Sequence, residues 1–357
     1  MNFNCSSLLK KLLLSRYFPL LLCLLYVFAT QHFVVMGRFY ADIVYPFIAP
    51  ALNHVSSFFP FALGDIFIFS AVIGVIVYPF YTRLRGKRSW RHIIVNESTF
   101  LLWVYVWFYM AWGLNYSQPN FYQRTNFRPV AYSDSVFLAF TDNYLENLNA
   151  SYVPQISTDK DEIRRAVVCG YEQMDKDMGI RLPFRENMKE KTMVFSSLAS
   201  KVAVLGSMGP FFCEFTLNED LLPENYPFSF AHELSHVLGI TSEAEANFYA
   251  YLVCTRSEVP SVKYSGYYEI LSYVMKNVYF NFGEEGYKEF LAKIRPEILA
   301  EQERDRAYWR AKYSPFIGDI QNFFYDIFLK KNRVEGGMKN YSYVIGLLMS
   351  YEAEKHT

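Results

Sequence analysis

From residue 17 to residue 37, between Arg16 and Arg38, the chain reads YFPLLLCLLYVFATQHFVVMG without one Asp, Glu, Lys or Arg. About 20 apolar residues are what a helix needs to cross the hydrocarbon core of a bilayer. No other feature narrows the possible folds as much. Two further runs have the same character. IFIFSAVIGVIVYPFYT lies between Asp65 and Arg83 and is extended on its N-terminal side by FFPFALG. FLLWVYVWFYMAWGLNY, from Phe100 to Tyr116, carries Trp and Tyr toward its ends, where interfacial anchors belong. Three transmembrane helices are expected, over about 17–37, 60–82 and 98–116. The segment 39–53 is apolar but holds Asp42 and two prolines, and reads as an interfacial or re-entrant piece.

Basic residues set the expected orientation. Lys10, Lys11 and Arg16 precede the first run, and Arg83, Arg85, Lys87, Arg88 and Arg91 separate the second from the third. The positive-inside rule places both groups in the cytoplasm. With three spans, everything after about residue 117 is then extracytoplasmic, on a multi-pass protein of the cell (inner) membrane. A cleaved signal peptide is the alternative for the first run. An uncleaved anchor fits better, because the run is long and no small-residue cleavage site follows it.

From 118 to 357 the composition becomes that of a soluble domain, large enough for a core of its own. Lys+Arg and Asp+Glu both number 35, so no net charge argues for a nucleic-acid partner. Helical periodicity covers most of this part, while the β-branched and aromatic residues of 191–220 read as strands. The expected fold class is α+β and mostly α-helical, with a small sheet just before a motif helix. Cys169, Cys213 and Cys254 allow one disulfide at most; buried thiols suit them as well.

The motif lies in AHELSHVLGITSEAEANF, residues 231–248. His232 and His236 are four apart, so a helix puts both imidazoles on one face. Both can then ligate one Zn2+. Glu233 is placed to take a proton from water held at an open metal position. Phe228, Phe230, Val237, Leu238 and Ile240 argue that this helix is buried, and a buried histidine pair wants a partner.

A third ligand is required. Gly239 can end the first helix in a left-handed turn. Ser242 can cap the next helix, with Glu245 three residues on completing a capping box. Glu243 is then left to face the metal and is preferred over Glu245, which stays open as the alternative. Asn247, four residues after Glu243, can hydrogen-bond a ligand histidine from behind.

HELSH followed by EAEAN resembles the gluzincin metallopeptidases, whose second helix carries Glu-x-x-x-Asp/Asn. Here Asn247 stands in place of the commoner aspartate, and the spacer before Glu243 is very short. The wider chain resembles a bacterial family of uncharacterised membrane proteins. That likeness rests on WGLNY (Trp112–Tyr116), the motif region from Pro227, YSGY (Tyr264–Tyr267) and a tail from Leu329 to Leu347. It implies a zinc peptidase-like site and no defined substrate.

The expectation is thus a membrane-anchored zinc metallopeptidase that hydrolyses peptide or protein substrates, themselves membrane-associated or not. Its rival is a non-catalytic, metal-stabilised envelope scaffold or sensor. Three secondary expectations follow. GPFFCEFTL (209–217) could offer an edge strand to substrate. Tyr264, Tyr267 or Tyr268 could supply a phenolic O–H to the oxyanion. EQERDRAYWRAKY reads as a solvated helix face.

Overall fold

The computed structural model describes residues 15–125, 127–174, 178–181, 188–319 and 343–355. These fall into two compact units: 1–59 with 63–119 and 210–213, and 60–62 with 120–209 and 214–357. The expected tail motif from Leu329 lies mostly outside the described residues, as does His356.

The first unit is helical. α1 (Phe18–His32) and α2 (Val34–Phe39) are followed by one π-helical turn (Tyr40–Val44) and α3 (Tyr45–Ser57). α4 (Leu63–Leu84) and α5 (Trp90–Ala111) complete it. α4 and α5 are each long and apolar enough to cross a membrane. The first run departs from expectation. It bends by 106° between His32 and Val34, so it counts as one broken span or as a re-entrant pair continuing to Ser57. At the break Phe33 is extended, with φ −111° and ψ 111°. The loop Pro210–Cys213 packs in this unit. The Trp107 indole donates to the Phe211 carbonyl at 2.9 Å, and the Asn53 amide donates to the Cys213 carbonyl at 2.9 Å.

The second unit surrounds two buried helices. α6 (Phe121–Arg124), α7 (Asp134–Ser151) and α8 (Lys160–Glu172) come first. A small sheet follows, made of β1 (Lys191–Thr192), β2 (Gly206–Gly209) and β3 (Glu214–Leu217), with α9 (Ser196–Ser200) between β1 and β2. Their order is β1-β3-β2: β1 is parallel to β3, and β2 is antiparallel to it with Gly206 opposite Leu217. Strand structure is thus shorter than the composition suggested. SSLAS, which lacks alternation, coils into α9 as Ser196 and Ser200 hydroxyls donate to the carbonyls of Met193 and Ser196. The expected edge strand is also corrected, because β3 lies in the middle of the sheet and β1 and β2 form its edges.

α10 (Tyr226–Val237) and α11 (Glu243–Thr255) are buried along almost their whole length. α12 (Pro260–Ala292, kinked at Gly283), α13 (Pro296–Lys312) and α14 (Tyr343–Lys355) close the unit. Pro227 suits the first turn of α10, where an N–H would lack a helical partner anyway. Phe230, Val237, Phe248, Tyr249 and Tyr264 belong to one continuous core. Burying a side chain of that size stabilises by about 1.5–3 kcal/mol, so α10 and α11 are held by packing more than by helix propensity.

α13 keeps the expected solvated face, with Glu303, Arg306 and Arg310 exposed, and is tied in along its other side. Gln302 is buried, Tyr264 donates to Glu301 at 2.5 Å, and Arg304 pairs with Glu224. Beside them the Asn225 amide donates to both Glu269 and Asp305, and the Tyr268 hydroxyl also reaches Asp305. Burial pushes the Glu269 carboxyl up to about 8, and the nearby Asp305 and Glu224 add to the rise against the Asn225 hydrogen bond. A carboxyl raised in the folded state contributes stability that is complete below its ordinary value of 4.5. That contribution is lost as pH rises through about 8. Glu269→Gln should therefore stabilise the protein at pH 9 by on the order of 2 kcal/mol relative to wild type. At pH 5 it should change little. Melting curves at the two pH values test this, and equal shifts at both would contradict it.

The four cysteines in the described residues are free thiols, so Cys169, Cys213 and Cys254 form no disulfide.

Candidate metal centre

α10 ends in the turn its glycine permits. Gly239 has φ 93°, in the left-handed region. Gly239 N–H donates to the His236 carbonyl and Ile240 N–H to the Ser235 carbonyl, the paired closure of a Schellman motif. This turn aims the Ile240 carbonyl at His236, whose Nδ1 lies 2.7 Å from it. α11 then starts at Glu243, with the Ser242 hydroxyl accepting from Glu245 N–H.

The reversal brings together the three residues the sequence reading placed on the metal. His232 Nε2 lies 3.1 Å from His236 Nε2. Glu243 Oε2 lies 3.2 Å from the first nitrogen and 3.6 Å from the second. Both Nδ1 atoms face oxygen acceptors, Asn247 Oδ1 at 2.8 Å for His232 and the Ile240 carbonyl for His236. A proton held on each Nδ1 would leave both Nε2 atoms free to ligate at a common point, where a carboxylate oxygen joins them. Three groups so placed could hold a cation between them.

The spacing fits a particular cation. Tetrahedral zinc with bonds near 2.0–2.1 Å separates its ligand atoms by about 3.3 Å, and the three distances bracket that value. Two imidazoles and one carboxylate also match zinc in donor type. Glu243 is 38 % exposed, so the cluster opens toward solvent on its side. Without a metal, burial resists charge on both partners, yet attraction wins. The imidazoles hold Glu243 well below the usual carboxylate range, and Glu243 with Glu233 raises His236 to about 9.

Glu233 is 7 % exposed, and burial pushes its carboxyl above the ordinary range despite the two neighbouring histidines. Its carboxylate lies against the backbone of Gly206 on β2. A Cβ there would come within 2.6 Å of Oε1, so any side chain would displace the group. The capping box is only half formed. The Glu245 carboxylate does not fold back onto its own helix but accepts from Phe121 N–H at 3.2 Å and Arg124 at 2.5 Å. The tyrosines singled out beforehand have other partners: the Tyr264 hydroxyl is bonded to Glu301, that of Tyr268 to Asp305 and that of Tyr267 to Tyr251.

Gly206, Ile240, Arg124 and Tyr273 are the contributors that sequence reading missed. Tyr273, on α12, has its hydroxyl 3.1 Å from Asn247 Nδ2. Gly206, Arg124 and Tyr273 belong to no local pattern that could have singled them out, whereas Ile240 follows directly from the Gly239 turn and was read only as an apolar neighbour.

No curated protein and no solved structure matches the chain. A family model described as a protein of unknown function, DUF3810, matches residues 40–349, and the chain belongs to that family.

Proposed function

We propose that this protein is a membrane-anchored zinc metallopeptidase in which His232, His236 and Glu243 hold the metal and Glu233 is the general base. The observation that carries this reading is the convergence of two Nε2 atoms and one carboxylate oxygen beside a buried glutamate. Bound there, Zn2+ would act as a Lewis acid and bring the pKa of water toward about 7.

The remaining roles belong to the chain. Glu233 takes the proton of the attacking water and passes it to the leaving amine. Asn247 and the Ile240 carbonyl hold the two rings in the tautomer that ligates. β2 is one of the two edge strands, and its backbone beside Glu233 suits an extended peptide bound by strand addition. The basic residues Arg83 to Arg91 between the second and third apolar runs support an extracytoplasmic position for this unit.

A purely structural zinc site is closed by four protein ligands. Among the described residues the cluster offers three, which favours catalysis over a scaffold. Metal analysis tests the ligand set. The purified full-length chain should carry about one zinc per protein, Glu243→Ala should lose most of it, and Glu245→Ala should keep it. A wild-type chain that takes up no zinc would sink the proposal.

A further inference from the structure

We infer that Tyr273 is a positioning residue of the metal centre, and that its phenolic oxygen keeps the acceptor end of Asn247 turned toward His232. The inference rests on the metal reading above and adds a residue to it.

His232 can ligate through Nε2 only when its proton sits on Nδ1, and that proton needs an acceptor. An aspartate would meet the need in any orientation, because its two oxygens are equivalent. An asparagine has one acceptor end and one donor end, so its orientation decides the outcome. Here Oδ1 lies 2.8 Å from His232 Nδ1, and Nδ2 lies 3.1 Å from the Tyr273 hydroxyl oxygen. Asn247 is only 6 % exposed, so water is a poor substitute for either contact.

Removing the hydroxyl would leave a buried NH2 without this acceptor. Orphaned buried N–H groups are less tolerated than an under-satisfied carbonyl. A half-turn of the amide then lowers the cost by aiming NH2 at His232 and leaving only the oxygen bare. In that orientation His232 must present a lone pair at Nδ1, which moves its proton to Nε2. The nitrogen facing His236 and Glu243 then no longer ligates. Tyr273 makes burial of the amide compatible with the metal-binding tautomer, although 26 residues separate it from Asn247.

The test is zinc affinity, measured by competition with a chromogenic chelator on the purified full-length chain in detergent. Tyr273→Phe should weaken binding by about 10-fold, the lower end for loss of a partner behind a metal ligand. In an N247D background the same change should cost far less, about 3-fold or under, because a carboxylate has no donor end to satisfy. Melting temperatures of the metal-free variants serve as the control. Where Tyr273→Phe lowers stability by itself, the comparison between the two backgrounds still decides.

Wild-type affinity in Tyr273→Phe overturns the inference and leaves the metal reading intact. An equal loss in both backgrounds also overturns it, since the hydroxyl would then act through packing alone. A wild-type chain that binds no zinc overturns the metal reading, and this inference with it.

Discussion

Glu233→Gln should lower peptide hydrolysis by at least about 100-fold while zinc content and melting temperature stay at wild-type values. The substitution is nearly isosteric, so the close approach of the side chain to Gly206 is kept. What disappears is the capacity to accept a proton. Glu233 is not one of the three converging donors, so its loss leaves the metal ligands in place. Its seclusion makes the effect large, because a buried carboxylate with a raised pKa holds a proton better than an exposed one. The assay needs a mixed set of fluorogenic peptides, since nothing in the chain names the residues beside the scissile bond. Full wild-type hydrolysis by Glu233→Gln, with metal bound, would falsify the assignment of the base. The matched zinc measurement separates this outcome from loss of the ion.

The cluster proposed to hold the metal was legible before the fold because it is local. His232, Glu233 and His236 lie within one helical turn, and Gly239 marks the turn that returns the chain within four residues to Glu243. Asn247 was legible for the same reason, being one turn further along the second helix. The capping box was read from spacing alone, and spacing cannot see Arg124, which lies more than a hundred residues away yet claims the Glu245 carboxylate. Gly206 was hidden likewise, since a glycine looks the same in sequence whether it terminates a strand or makes room for a carboxylate. The apolar runs gave helices, but the bend near Phe33 had no proline or glycine beside it to announce it. Chemistry held within two adjacent helices could be read from residues, whereas contacts closed by tertiary packing could not.

The same distinction predicts where the largest loss of stability lies. Arg124 and Glu245 form an ion pair with side chains only 11 % and 5 % exposed. Burial alone would pull the Arg124 guanidinium down, but the Glu245 carboxylate outweighs it and holds it above its ordinary value. Arg124→Met leaves that carboxylate buried with Phe121 N–H, and removing one partner of such a pair costs about 3–5 kcal/mol. For a unit of this size, that is a fall in melting temperature of about 10 °C. Glu245→Gln should fall comparably, because it removes the guanidinium's opposite charge and leaves it only neutral partners such as Tyr249. The double variant R124M/E245Q should recover more than half of either loss, since neither charge is then left alone. Zinc content should stay near wild type in all three at temperatures where they remain folded, which is how Glu245 parts company with Glu243. If Arg124→Met instead melted like wild type and lost its zinc, Glu245 would belong to the metal and the pairing described here would be incidental.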